Sequence, residues 1–189
     1  MRVVTICRMN QARSPFAQAV LEHHFPGHEF ASAGIDGVTG APVVTSVLKI
    51  ADAWGVPIAK RRSDSVLDSR DALHSADLVI VADSGQRDAI KNLGHSGNLI
   101  NCETLLNEPG FAPRDPDGLQ IDQAKTELAK YGALAIRAML EALDEHTPNP
   151  VIAVIPSNVE HVGEALKRAR ELVRNRGAIL VNADMRAPS

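Results

Sequence analysis

Cysteine and aromatic residues are scarce in this chain of 189 residues. It contains 2 cysteines, 1 tryptophan, 1 tyrosine and 4 phenylalanines. Two cysteines without a paired spacing leave no disulfide framework and indicate a reducing compartment, so we expect a cytoplasmic protein. The small number of aromatic side chains also leaves few candidates for the walls of a pocket that binds an aromatic ring.

Long apolar runs and an excess of charge of one sign are also missing. No segment reaches the roughly 20 apolar residues of a membrane span, and the first residues read as a core strand instead of a signal peptide. The formal net charge is −3, which gives no general attraction to nucleic acid or to anionic membranes. We therefore expect neither nucleic acid nor a membrane as a partner.

The sequence motifs of common cofactor and metal sites are absent as well. No Gly-Lys-Ser/Thr element is present, which disfavours an ATP-binding loop. Three glycines within residues 34–40 do not open a helix directly after a strand, so they are not a dinucleotide fingerprint. Three histidines within residues 23–28 lie near a predicted helix end and are interpreted as surface or capping residues. The sequence thus predicts no cofactor and no metal.

Apolar segments alternate with helical patterns along most of the chain. The predicted strands are 3–6, 28–32, 78–82 and 98–101, and the predicted helices are 14–25, 42–54, 84–92 and 120–145. This alternation indicates βαβ units and hence an α/β fold, with an open, doubly wound parallel sheet and helices on both faces. In such sheets ligands bind at the carboxyl ends of the strands, where Cys7 and Asp83 are expected to lie.

Residues 147–189 are interpreted as a C-terminal extension of a core formed by residues 1–146, both within one domain of residues 1–189. The predicted elements of this extension are strand 151–155, helix 159–176 and strand 178–181. The extension is expected either to lengthen the sheet or to build a homodimer contact.

The most informative segment is the loop Cys-Arg-Met-Asn-Gln-Ala-Arg-Ser, residues 7–14, between the first predicted strand and helix. Its backbone N–H groups and the positive end of the helix dipole converge above Cys7, which favours a nucleophilic thiolate. The guanidinium of Arg13 is a planar fork that matches two oxygens of a phosphate. The segment therefore predicts a site that holds and attacks a phosphate-like oxyanion.

This segment resembles the phosphate-binding loop of the low-molecular-weight protein tyrosine phosphatases, and the likeness extends over most of residues 1–146. In that family Cys-x5-Arg-Ser-Pro follows the first strand. A Ser-Ala-Gly segment, a strand that ends in an Asp-containing turn, and an Asp-Pro loop then come in that order. Their counterparts here are Ser32-Ala33-Gly34, Leu78–Ser84 and Asp115-Pro116. The resemblance implies a four-stranded parallel sheet with helices on both faces.

The resemblance also implies a phosphomonoester hydrolase that works through a phosphocysteine. Cys7 would be the nucleophile, and Arg13 would stabilise the transferring phosphoryl group. Asp115 would donate a proton to the leaving oxygen and then take one from the attacking water. Ser14 would donate its hydroxyl to the Cys7 thiolate as this thiolate leaves phosphorus.

Further residues are expected to contact the substrate or to support the loop. The expected substrate-binding residues are Arg8, Met9, Asn10, Gln11, Ala12, Ser14 and Phe111. The resemblance implies that Asn10 braces the loop through Ser32. Asp83 is expected to orient the arginine or to brace the loop, although an aspartate at a strand end also commonly caps a helix.

Several positions depart from the family pattern. Glycine is usual where Met9 stands, a second cysteine where Ala12 stands, and aromatic residues after Asp-Pro and after Ser-Ala-Gly, where Val38 or Thr39 stands here. Phe111 is then the remaining candidate for an aromatic wall, and Arg8 adds positive charge at the rim. A small or strongly anionic phosphomonoester is thus an alternative to a phosphotyrosine protein as substrate.

Two other functions are compatible with the same loop. An arsenate reductase is possible because arsenate mimics phosphate; a version using an external small thiol needs Cys7 alone, whereas a thiol relay has only Cys102 available. A phosphate or phosphoprotein binding module with weak or no turnover is the third interpretation. The Asp115-Pro116 pair favours the hydrolase, because exchange between a thiol and arsenate does not require that acid.

Overall fold

A computed structural model describes residues 1–105 and 113–143, together with the backbone of two short strands at 153–155 and 180–182. Four strands form the main sheet: β1 (Arg2–Cys7), β2 (Glu29–Gly34), β3 (Leu78–Val81) and β4 (Asn98–Asn101). Their spatial order is β2-β1-β3-β4, and each neighbouring pair is parallel. The strand that ends at Cys7 is therefore central and is hydrogen-bonded on both sides.

Helices connect the strands and cover both faces of the sheet. They are α1 (Arg13–His24), α2 (Thr45–Ala53), α3 (Arg70–His74), α4 (Ser84–Asn92) and α5 (Ile121–Ala142), with a 3-10 turn at Cys102–Thr104. No helix among residues 1–105 and 113–143 is both long and apolar enough to cross a membrane.

Alternation along the strands sends successive side chains to two separate cores. Val3 of β1 and Ile80 of β3 face the core that also contains residues of α1, α2 and α5. Ile6 and Val81 face the second core, to which α3 and α4 contribute. Because β3 is covered on both faces, all four of its side chains are buried and apolar, as expected for a strand of a parallel sheet. The doubly wound parallel fold predicted from the sequence is confirmed.

The clearest differences from the predicted elements are two shifted boundaries and one helix that was not predicted. The strand predicted at 28–32 runs from Glu29 to Gly34, so that Gly34 lies beside Cys7 in the sheet. The helix predicted at 42–54 begins only at Thr45. Helix α3 was not predicted, because its five residues are too few to show a helical period.

The C-terminal extension contributes two described strands, β5 (Ala153–Ile155) and β6 (Leu180–Asn182). They pair in parallel as a sheet of their own, so in the described residues the extension does not lengthen the main sheet. Strands were predicted at 151–155 and 178–181, which overlap these two. The helix predicted at 159–176 lies outside the described residues.

Candidate active site

Cys7 ends β1 at the carboxyl edge of the sheet and leads into the Cys7 loop, residues 7–14. Its Sγ accepts a hydrogen bond from the hydroxyl of Ser14 at 3.0 Å and one from the backbone N–H of Asn10 at 3.3 Å. The Cys7 side chain is buried. Two donors aimed at one sulfur stabilise a negative charge on it, which is the form of a cysteine that attacks an electrophile.

Asn10 makes the sharp turn of the loop possible. Its φ of +56° is the only left-handed value of a non-glycine residue in the described part of the chain, and asparagine tolerates that conformation well. Its side chain donates to the Ser14 hydroxyl at 2.8 Å and accepts from the backbone N–H of Asp64 at 2.8 Å. Asn10 thereby ties the hydroxyl that contacts Cys7 to a neighbouring segment.

The loop also packs against Gly34 at the end of β2. A Cβ atom on Gly34 would lie 2.7 Å from the backbone carbon of Met9 and 2.8 Å from the nitrogen of Asn10, so no larger residue fits. The backbone N–H groups of Ile35 and Asp36 donate to the carbonyls of Cys7 and Arg8 at 3.1 and 2.8 Å. This packing holds the outer side of the Cys7 loop in place.

Arg13, which belongs to the Cys7 loop and is the first residue of α1, contacts residues 113–117, which we call the Asp115 loop. The Arg13 residue is 5% exposed. Its Nη1 donates to the carbonyl of Pro113 at 2.8 Å, and its Nη2 donates to Oδ2 of Asp115 at 3.3 Å. Its Nε is buried without a partner among the described residues. An unsatisfied buried donor is costly, so Nε–H is well suited to an oxygen of a bound oxyanion.

The carboxylate of Asp115 is partly open to solvent, at 41% exposure of the side chain. Its second oxygen accepts from the backbone N–H of Asp117 at 3.2 Å, which is a local turn contact. A carboxylate that touches the guanidinium and still reaches solvent is placed to exchange protons with a group bound at Arg13.

Arg13 and Asp115 border an open pocket of about 420 Å³. Its lining residues are Arg8, Arg13, Ile35, Asp36, Asp83, Gly85, Gln86 and Asp115. Arg8 lies at the rim with its side chain 70% exposed, and its Nε pairs with Oδ2 of Asp36 at 3.0 Å. The positive charge expected at the rim is therefore offset by a carboxylate that the sequence did not reveal.

Residues 2–102, more than half of the chain, match the family model described as low molecular weight phosphotyrosine protein phosphatase. The chain belongs to this family.

One curated member of the family resembles about half of the chain. The probable low molecular weight protein-tyrosine-phosphatase EpsP of Ralstonia nicotianae is 32% identical over 90 residues, which are 48% of this chain and 61% of EpsP. The match thus spans about three fifths of this curated relative.

Solved structures show the same fold at lower identity. The YwlE arginine phosphatase from Geobacillus stearothermophilus has a TM-score of 0.64 at 24% identity, covering 78% of this chain and 99% of its own. A YwlE mutant with a phosphorylated active-site serine has a TM-score of 0.65 at 20% identity, covering 77% of this chain and 97% of its own.

In this member of the low-molecular-weight phosphatase family, two expected supports of the loop have other contacts. The hydroxyl of Ser32 accepts from Nζ of Lys60 at 3.3 Å, whereas Asn10 is braced by Ser14 and Asp64. Nζ of Lys60 also pairs with Oδ2 of Asp64 at 2.8 Å, so Ser32 is connected to Asn10 through Lys60 and Asp64.

Asp83 caps helix α4 at the edge of the pocket. Its two oxygens accept from the backbone N–H of Gln86 at 2.9 Å and from the Gln86 side chain at 2.6 Å. Of the roles left open for Asp83, the structure places it as a helix cap, because both oxygens are occupied by Gln86.

The aromatic wall of the pocket is not found at the predicted positions that the structure describes. Phe111 lies outside the described residues. Val38 is 64% exposed, whereas the hydroxyl of Thr39 donates to Asp68 at 2.6 Å and accepts from the N–H of Ser65. Trp54 packs edge-on against Phe16, with ring centroids 5.7 Å apart, in the core beneath α1.

Two residues beneath the site were missed at the sequence level. The hydroxyl of Tyr131 on α5 donates to the carbonyl of Ile6 at 2.8 Å, just before Cys7. Burial first, then the neighbouring Cys102 and Cys7, raise the pKa of Tyr131 well above its ordinary value, which keeps the hydroxyl a donor. Thr5 donates to the carbonyl of Ser14 at 2.9 Å. In the sequence, Tyr131 stands out as the single tyrosine and Thr5 as a polar residue within an apolar strand. These are the signals by which the two residues could have been found.

Cys102 is fully buried, and both cysteines are free thiols. Burial raises the pKa of the Cys102 thiol well above its ordinary value, so this thiol stays protonated and unreactive. In the part of the chain that the structure describes, no three His, Cys, Asp or Glu side chains gather as a candidate metal site.

Proposed function

We propose that this protein is a cysteine-dependent phosphomonoester hydrolase of the tyrosine phosphatase type, with Cys7 as nucleophile. The observation that carries the proposal is the set of contacts around one sulfur: donors from Ser14 and Asn10 at 3.0 and 3.3 Å. Arg13, 5% exposed, adds the guanidinium, with a free buried Nε. Family membership supports the same chemistry.

The first half of the reaction transfers the phosphoryl group to the enzyme. The Cys7 thiolate attacks phosphorus in line, so an S–P bond forms as the P–O bond to the leaving group breaks. Arg13 and the N–H groups of the Cys7 loop stabilise the equatorial oxygens. Asp115 gives its proton to the leaving oxygen.

The second half returns the enzyme to its starting state. Asp115 takes a proton from a water molecule that attacks phosphorus, and the S–P bond breaks to give inorganic phosphate and the thiolate. The hydroxyl of Ser14 stabilises the departing sulfur through its bond to Cys7. In the YwlE mutant the active-site serine is phosphorylated, which is the outcome expected when an active-site side chain receives the phosphoryl group.

The proposed substrate class is a phosphorylated protein or a small phosphomonoester. No aromatic wall is described near the pocket, and Val38 stands exposed beside the residues that pack on the Cys7 loop. Family membership supports phosphotyrosine as a substrate. Because no aromatic side chain among the described residues lines the pocket, we expect a phosphotyrosine peptide to have little advantage over small phosphomonoesters, without the about 1–3 kcal/mol of discrimination that a ring-binding slot contributes. A cytoplasmic location and a homodimer contact of the extension stay predictions.

Turnover of p-nitrophenyl phosphate by the parent, Cys7→Ser and Cys102→Ala tests the proposal. Cys7→Ser is expected to abolish turnover while vanadate still binds, because the N–H groups and Arg13 remain. Cys102→Ala removes the other thiol and is the matched control, expected to keep turnover. If Cys7→Ser stays within a few-fold of the parent, covalent catalysis through Cys7 is wrong.

A substrate panel separates the remaining possibilities. Small phosphomonoesters and a phosphotyrosine peptide test the substrate class, and a phosphoarginine peptide is included because a solved protein of this fold is named an arginine phosphatase. Arsenite release from arsenate with a small external thiol, without hydrolysis of any phosphate, would favour the arsenate reductase. Vanadate binding without turnover of either kind would favour the binding module.

A further inference from the structure

Glu127 is the one buried carboxylate among residues 1–105 and 113–143. It lies in the second turn of α5, and its side chain is 8% exposed. A buried carboxylate requires partners, since taking it out of water costs free energy that an apolar residue of similar size would not require. The burial of Glu127 therefore indicates a role other than packing.

Glu127 uses both of its oxygens on the Asp115 loop. One oxygen accepts from the backbone N–H of Arg114 at 2.8 Å, and the other accepts from Nε of Arg114 at 3.2 Å. The first oxygen also lies 3.7 Å from Nζ of Lys130, one turn further along α5. The shorter contact holds the main chain of the loop, whereas the Arg114 side chain itself is 67% exposed.

The residues on either side of Arg114 are those that contact the guanidinium of Arg13. The carbonyl of Pro113 accepts from Nη1 at 2.8 Å, and Oδ2 of Asp115 accepts from Nη2 at 3.3 Å. One buried carboxylate on α5 thus fixes the middle residue of a three-residue segment whose two ends meet the active-site arginine. Asp115 itself has one further contact, the local N–H of Asp117.

We propose that Glu127 is a positioning residue for proton transfer: it holds the Asp115 loop through the main chain of Arg114 and so sets the place of the Asp115 carboxylate. This inference rests on the proposed phosphatase function. Misplacement of a reacting group by about 1 Å can cost about 10²-fold in rate. Loss of the tie should therefore harm phosphoryl transfer from a basic leaving group, which needs the proton, more than transfer from a good leaving group.

Leaving-group dependence of kcat/KM tests this role, because this parameter covers the steps up to departure of the alcohol. Phenyl phosphate has a basic leaving oxygen that needs a proton, whereas p-nitrophenyl phosphate needs it much less. Glu127→Gln is expected to lower kcat/KM for phenyl phosphate about ten-fold more than for p-nitrophenyl phosphate. Vanadate inhibition should stay near the parent value, because vanadate binding requires no proton from Asp115.

Two further variants show whether the change in leaving-group dependence comes from the contact between Glu127 and Arg114. Arg114→Gln should shift the same ratio in the same direction but less, because the backbone N–H bond to Glu127 remains. Glu141→Gln removes an equal charge from an exposed site on α5 and is the matched control. That site lies about 20 Å along the helix from Glu127, and its substitution should leave the ratio unchanged.

The outcomes separate this inference from the function on which it rests. A parent that hydrolyses neither substrate overturns the proposed function, and this inference with it. An active parent, with equal losses on both substrates in Glu127→Gln or only a lower melting temperature, overturns the positioning role alone. If Glu127→Gln fails to fold, Arg114→Gln decides, and an unchanged ratio in that variant overturns the proposal.

Discussion

Replacing Ser14 with alanine removes the hydroxyl that connects the Cys7 thiol to the rest of the loop. Ser14 is fully buried; its hydroxyl donates to Sγ of Cys7 at 3.0 Å and accepts from Nδ2 of Asn10 at 2.8 Å. In the proposed reaction the sulfur leaves phosphorus as a thiolate in the second half. The variant should therefore slow breakdown of the phosphocysteine more than its formation.

The size of this effect follows from the bond that is lost. A hydrogen bond to a charged group contributes about 1.5–3 kcal/mol. At about 1.4 kcal/mol for each ten-fold change in rate, Ser14→Ala should slow breakdown about 10- to 150-fold. The amide of Asn10 also loses a buried acceptor, which should lower the free energy of unfolding by about 1–3 kcal/mol.

Rapid mixing with p-nitrophenyl phosphate measures the two halves separately. The variant should release a burst of nitrophenolate close to one per enzyme, followed by a slow steady rate, and it should accumulate phosphoenzyme. Ser63→Ala is the control, because its fully buried hydroxyl donates to the carbonyl of Val38 at 2.6 Å, away from Cys7. A steady rate in Ser14→Ala within about three-fold of the parent, a difference of less than about 1 kcal/mol, would refute the reasoning.

Three further predictions concern charged side chains. Asp115→Asn should lower kcat/KM for phenyl phosphate about 10²–10⁴-fold and much less for p-nitrophenyl phosphate; equal losses would give Asp115 a structural role. Arg8→Leu should raise KM for multiply charged phosphates only slightly, and less at high salt, because Asp36 lies 3.0 Å from its Nε; an increase that grows with salt would contradict this. Hydrogen bonds from Ser84 lower the pKa of Glu103 from its ordinary 4.5, so its stabilisation is present above that value and is lost as pH falls through the lowered one. Urea unfolding should thus show Glu103→Gln less stable than the parent at neutral pH, with a difference that shrinks as the pH falls below 4.5, and a difference independent of pH would argue against the contact.

The sequence predicted the fold and the contiguous part of the candidate site. The four strands and the long helices carry clear periods, and the loop that contains Cys7 and Arg13 is contiguous, so its residues must lie together wherever the chain folds. Asp115 could be linked to them only through the resemblance, because 102 positions separate it from Arg13.

The supporting contacts could not be predicted in the same way. Asn10 binds Asp64, Glu127 binds Arg114, and Tyr131 binds the carbonyl of Ile6, in each case through partners that the strand and helix pattern does not specify. Several of these partners are backbone groups, which every residue carries, so no side-chain pattern identifies them. The resemblance implied that Asn10 braces the loop through Ser32, whereas the hydroxyl of Ser32 contacts Lys60 and the side chain of Asn10 contacts Ser14 and Asp64.

The wide separation of the contacts around β1 also sets when the site can form during synthesis. Ile6 is synthesised 125 residues before Tyr131, whose hydroxyl donates to the Ile6 carbonyl. At roughly 5–20 residues per second, that interval is about 6–25 s. During this time Cys7 and Arg13 are present in the nascent chain, but Pro113 and Asp115, the partners of Arg13, are not yet in place. The Cys7 thiol is therefore exposed to oxidants before the site is complete. The phosphatase site is completed only when α5 has been made and has docked.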